Sequence, residues 1–235
     1  PELENTVFLR YHIINRSGNT YGDFRIGFFN DFDLGCSNDD FLGTDPSRNL
    51  QFVYNNSDVD NSCLGAVGYG TQPPAIGMVI LKGALMDPNG VDDEMAFGLP
   101  AWNGMGFGDS AADNERHGLS SSMPMNRPEF SNVIDPYLPI HFSRFMNATW
   151  PEGTPLTYGG DGYSFDVGAL PCRFAFPGSS DPGGAGTNGV PQGPWSETAP
   201  TPPTIPDRRA ISGIGPVTLD PGEHVDLLFA YVYAR

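Results

Sequence analysis

Strictly alternating stretches lie near both ends of the chain. Residues 6–14 place Val7, Leu9, Tyr11 and Ile13 on one face and Phe8, Arg10 and His12 on the other, and residues 225–233 set Val225, Leu227, Phe229, Tyr231 and Tyr233 on one face. A period of two is the mark of half-buried strands. Residues 21–29 alternate again through Phe24, Ile26 and Phe28, and the turn residues 15–19 before them predict an antiparallel hairpin with the first strand. Residues 50–54 read as another short strand, and the near-continuous apolar run 75–81 after Pro73 and Pro74 as a strand covered on both faces. From 83 to 131 the pattern dissolves into Gly, Met, Asn and Asp, a long excursion held by Met95, Phe97, Trp102 and Phe107.

One helix is expected over 140–150, where Phe142, Phe145 and Met146 fall at i, i+3 and i+4, Trp150 follows a turn later and Pro151 stops it. Residues 157–162 form a turn, 173–176 a short strand and 177–206 an irregular surface loop tacked down by Trp195. The Asp220-Pro221-Gly222 turn leads into the final strand. The expected fold is all-β: one jelly-roll-like β-sandwich domain over 1–235, with long Gly/Pro-rich loops, one short helix and the N- and C-terminal strands in one sheet.

Composition narrows the partners. Thirty Gly and 23 Pro among 235 residues oppose long helices, while 39% hydrophobic content argues against disorder. The net charge of −16, with Lys82 the single lysine, leaves no basic footprint for nucleic acid or an anionic lipid surface. No apolar run is long enough for a membrane span, so direct insertion is not expected, and Pro1 reads as the start of a processed or excised fragment of a longer protein.

The densest chemistry lies between Asn30 and Asp45. Asp31, Asp33, Asp39, Asp40 and Asp45 crowd this stretch with no Lys or Arg among them. Such carboxylates either splay into water or surround a hard cation that takes six to eight oxygens, and calcium fits best. Gly35 and Gly43 permit sharp turns, Asn30 and Asn38 offer neutral oxygens, and Asp58 and Asp60 can fold back as further ligands. The pattern is not an EF-hand, because the third acidic position, the glycine at position six and the closing Glu are missing from the required places. Cys36 and Cys63 bracket this region; a bridge would close a loop of roughly 26 residues and contribute about 3 kcal/mol, the alternative being buried free thiols, and Cys172 is left over.

Motifs for zinc hydrolysis, acyl transfer and nucleotide binding are absent. Gly108-Asp109-Ser110 resembles the opening block of GDSL-type esterases, for which only His117 or His141 can be nominated as base. His12, His117, His141 and His224 lack companion ligands at metal spacing, and Asp92-Asp93-Glu94 reads as a solvated loop. Arg208 and Arg209 read as structural ion-pair partners. Trp102, Trp150 and Trp195 are either anchors for long loops or a platform for sugars.

Several stretches together resemble a family of secreted Bacteroidota surface proteins exported by the type IX system. They include Asn15-Arg16-Ser17, the run from Asp31 through Asp39-Asp40 to Asp45, Trp150-Pro151-Glu152-Gly153-Thr154-Pro155 and Gly215-Pro216-Val217-Thr218-Leu219-Asp220-Pro221-Gly222. The resemblance implies a secreted, extracellular, cell-surface module with no assigned activity, and Asp109-Ser110-Ala111 resembles a short O-glycosylation acceptor of that phylum. The functional expectation is a non-enzymatic, calcium-stabilised structural or adhesive unit whose partners are other domains or copies of the same protein. A carbohydrate-binding module that meets surface glycans through its Trp-bearing loops is the alternative, and a GDSL-like hydrolase a weaker one.

Overall fold

The described residues form ten strands: β1 (Thr6–Ile14), β2 (Tyr21–Asp31), β3 (Asp40–Asp45), β4 (Leu50–Asn55), β5 (Val59–Asp60), β6 (Gly70–Thr71), β7 (Ala75–Lys82), β8 (Ser121–Met125), β9 (Arg209–Leu219) and β10 (His224–Ala234). The computed structural model describes residues 3–63, 65–95, 104–125, 135–164, 167–197 and 208–235. Its two main sheets are antiparallel, ordered β1-β10-β7-β4-β3 and β2-β9-β8, and β5 pairs with β6 as a small ribbon. The fold is all-β and sandwich-like.

The terminal strands do share a sheet, with Thr6 opposite Val232 and Ile14 opposite His224. The expected β1–β2 hairpin is not formed. β1 pairs with β10, whereas β2 pairs with β9 in the other sheet, so residues 15–20 carry the chain from one layer to the next. The turn between β9 and β10 makes the same crossing. Asn15 holds the two turns together: its N–H donates to the Glu223 carbonyl (2.9 Å), its amide group to the Leu219 carbonyl (3.0 Å), and its carbonyl accepts from Gly222 N–H (2.8 Å). Turn-forming residues specify a reversal but not whether it stays in the sheet, which is why the sequence pattern misled here.

Between the layers, Phe28 of β2 meets Phe229 of β10 edge-on at 4.6 Å, and Ile214 and Val217 of β9 share a core with Met78 and Ile80 of β7. A second core at the other end gathers Leu34, Leu42, Val53, Met123, Met125, Phe145, Trp150 and Trp195. β8 lay hidden in the patternless excursion because Ser-Ser-Met-Pro-Met does not alternate, although all five of its residues are buried.

Helix α1 spans Pro139–Met146, with Pro139 in its first turn, and lies on β2, β8 and β9. It ends earlier than the sequence suggested. Asn147 N–H closes onto the Arg144 carbonyl, and Ala148 at φ 53° turns the chain before Pro151 is reached. Phe145 is buried while Phe142 is exposed, so the apolar face is narrower than expected. Gly213 permits the close approach, since a Cβ there would stand 2.5 Å from Ser121 Oγ and 3.1 Å from the Met146 carbonyl. Residues 173–176 form no strand; Phe174 makes an isolated bridge to Ser122.

The two edges of the five-stranded sheet differ. Along β3, Thr44 N–H donates to the Phe176 carbonyl (3.1 Å) and Leu42 N–H to the Glu197 carboxylate (2.7 Å). Glu197 in turn pairs with buried Arg208 at 2.8 Å. β1 forms the opposite edge, with Val7, Phe8 and Tyr11 exposed on it.

Candidate functional site

The acidic stretch leaves the end of β2 and folds over the rim of the sandwich. Buried Leu34 anchors it in the core, and Gly35 adopts φ 67°, where an L side chain would be strained and a Cβ would lie 1.9 Å from Asp60 Oδ2. The next residue is tied down covalently, because Cys36 and Cys63 form a disulfide with Cα atoms 5.2 Å apart. This bridge resolves the choice the sequence left open and draws the β5 segment against the loop. A short 3-10 turn, Ser37–Asp39, then delivers Asp40 to the start of β3.

Asp40 is fully buried and stands opposite Asn55 of β4. Cross-strand partners project to the same side of a sheet, here the side shared with the buried Leu42 and Val53 pair. Oδ2 of Asp40 accepts the Leu34 N–H at 2.9 Å. Oδ1 of Asp40, Oδ1 of Asp39 and Oδ1 of Asn55 are buried with no hydrogen-bond partner among the described residues. Asp60, also buried, accepts from Cys36 N–H (3.2 Å) and Tyr69 N–H (2.7 Å).

Burial and neighbouring acids raise the proton affinity of Asp40 and Asp39. Burial, followed by the charges of Asp39, Asp60 and Asp33 and opposed by the Leu34 N–H, pushes the Asp40 carboxyl up to about 7. Burial and then the Asp60 charge also raise Asp39. Three unpartnered acceptors and a cluster of mutually repelling carboxylates form a donor set suited to a hard cation. Asp39, Asp40, Asn55 and Asp60, with exposed Asp33 beside them, are the residues that could hold such a cation.

Asp31 and Asp45 belong to other interactions. Asp31 pairs with Arg209 Nε at 3.1 Å. Asp45 closes the far end of β3, roughly 16 Å along the strand from Asp40. There it accepts from Arg48 N–H (3.1 Å) and Ser47 Oγ (2.6 Å) and pairs with the Arg48 guanidinium, capping the turn Pro46–Arg48. Asn30 is likewise committed, donating to Gln51 Oε1 (2.7 Å) and accepting from Tyr231 OH (3.2 Å). Of the aspartates singled out in the sequence, the structure thus gathers Asp39 and Asp40 with Asp60 and Asp33, adds Asn55, which the sequence did not single out, and pairs Asp31 and Asp45 with arginines. Only strand register places Asn55.

Compared with protein-family models, curated proteins and solved structures, the chain matches none.

The other sequence nominations find plain structural roles. Trp150 is fully buried and donates through Nε1 to the Gly162 carbonyl (3.0 Å); Trp195 is buried and donates to the Gly160 carbonyl (2.9 Å). Neither face is open to a sugar, and Trp102 lies outside the described residues. Ser110 sits exposed at φ 73° with its N–H on Asp92 Oδ2 (2.6 Å), and its hydroxyl has no hydrogen-bond partner among the described residues. His117 is buried and bonded to the Pro216 backbone carbonyl, which leaves it outside the role of an accessible base; burial lowers its pKa to about 4. His141 is buried edge-on against Tyr137 at 4.6 Å. Buried Cys172 is a free thiol whose pKa burial drives upward, so it stays protonated and unreactive. His12 and His224, read from the sequence as isolated, stand side by side across β1 and β10 with Asp226 between them.

Proposed function

We propose that this chain is a non-enzymatic structural or adhesive module of an extracellular or cell-surface assembly, stabilised by calcium at the acidic rim. The observation that carries the reading is Asp40: a fully buried carboxylate with an unpartnered oxygen, among Asp39, Asp60 and Asp33. Calcium drawing these oxygens together would replace repulsion with coordination and lock the Cys36–Cys63 segment onto β3 and β4. A disulfide beside the site suits an oxidising, secreted setting, in line with the resemblance to Bacteroidota surface proteins.

Partners in this reading are other domains or copies of the same chain, met along β1. Among the described residues that strand is the uncovered edge of its sheet and exposes Val7 and Phe8, while the β3 edge is covered by residues 176 and 197. Thermal unfolding of the intact chain tests the calcium reading. Millimolar calcium should raise the melting temperature and a chelator should lower it; a curve indifferent to both overturns the proposal.

A further inference from the structure

The pairing of β1 with β10 creates a second cluster of a different chemical kind. His12 lies directly opposite Asp226, and His224, two residues before Asp226, projects from the same face beside them. His12 Nδ1 is 2.8 Å from Asp226 Oδ1, His224 Nε2 is 3.6 Å from Asp226 Oδ2, and the two imidazole centroids are 4.5 Å apart. One ligand atom from each residue lies within 4.8 Å of the other two, and among the described residues this is the group of His, Cys, Asp and Glu that converges so tightly. The acidic rim does not reach that convergence.

We infer that His12, His224 and Asp226 form a surface site for a borderline transition-metal ion, zinc foremost. Two imidazoles and one carboxylate are the donors zinc prefers, at 2.0–2.2 Å each, whereas calcium selects oxygen alone. Tetrahedral coordination separates neighbouring ligand atoms by roughly 3.3 Å, so the present spacings need small side-chain rotations. Both imidazoles are about half exposed and free to make them. The backbone register already places all three side chains on one face of two hydrogen-bonded strands. Three protein ligands leave a fourth position open to water or to a donor from another molecule.

Two cations oppose the ion. Arg10 Nη2 is 3.9 Å from Asp226 Oδ1, and the charge of Arg116 also acts on Asp226. Arg10 is largely exposed and can swing away, while Arg116 is held by its bond to the Gly83 carbonyl (3.0 Å). Glu223, next to His224, accepts instead from the Asp220 N–H (3.0 Å). The site should therefore be modest in affinity, and removing the Arg10 charge should strengthen it.

A bound ion would fasten edge strand β1 to β10 close to the Asn15 corner. The inference is independent of calcium at the acidic rim, and the experiment separates the two. Zinc is titrated calorimetrically into the chelator-stripped full chain in millimolar calcium, with cobalt as a spectroscopic substitute. The expected result is one zinc per chain and a visible cobalt band of tetrahedral type. His12→Ala and His224→Ala should each weaken zinc at least about tenfold, since even the partners of ligands cost 10–100-fold when lost, and Arg10→Ala should tighten it. Asp40→Asn should leave zinc binding unchanged. All three β1/β10 residues are at the surface, so circular dichroism can verify that each variant folds. Absence of zinc binding by the folded wild-type chain, or equal affinity in wild type and both histidine variants, overturns the assignment.

Discussion

The substitution Asp40→Asn puts the calcium reading under the most direct strain. In the ion-free protein Asp40 has its carboxyl raised from 3.8 to about 7. A carboxyl so raised binds its proton more tightly in the fold than in the unfolded chain, so its contribution to stability is fully present below about pH 4 and is lost as pH rises through about 7. At pH 8 the ionised, buried group opposes folding by on the order of 4 kcal/mol. Replacing it with a neutral amide of the same shape keeps an acceptor for the Leu34 N–H and removes the charge facing Asp39, Asp60 and Asp33. In chelator at pH 8 the variant should therefore melt above the wild type. Calcium should narrow the gap. At a hundred times its dissociation constant it adds about 2.7 kcal/mol to the wild type, or roughly 5–10 °C for a chain of this size, and little to the variant. Calorimetric scans at pH 5 and pH 8, with and without calcium, measure all the terms. Equal calcium shifts in both proteins, or a variant that melts lower than wild type in chelator at pH 8, would refute the reasoning.

Four further expectations follow from named contacts. His117 is buried with a pKa lowered to about 4, so its stabilising effect is complete above about 6.5 and is lost as pH falls toward 4; its imidazole resonances should stay those of a neutral ring at pH 5, with about 3 kcal/mol of stability lost over that window. Reducing Cys36–Cys63, or the double change Cys36→Ser and Cys63→Ser, should cost about 3 kcal/mol in denaturant unfolding and also weaken calcium binding, because the bridge holds Asp60 against the loop. Phe145→Ala, under the helix at the sheet surface, should cost roughly 3–5 kcal/mol by urea titration. Phe8→Lys on the exposed edge of β1 should leave the melting temperature nearly unchanged while abolishing any self-association seen by sedimentation at high concentration.

Local chemistry decided the parts of this protein that need only near neighbours. Alternating residues drew β1, β2 and β10, a short apolar run drew β7, and the density of aspartate with no nearby cation marked the loop before β3. Side-chain direction in a strand depends on position alone, so such patterns survive whatever the strand pairs with. Pairing is another matter. That β1 joins β10 and not β2, that Asn55 stands opposite Asp40, and that arginines distant in sequence or just past the loop claim Asp31 and Asp45 all depend on which strands lie side by side. β8 was invisible for the same reason: Ser-Ser-Met-Pro-Met does not alternate, and its burial on both faces comes from its neighbours. The histidines give the sharpest case. His12 and His224 are separated by almost the whole chain, and their spacing in sequence says nothing of a metal; one antiparallel register sets their rings 4.5 Å apart around Asp226.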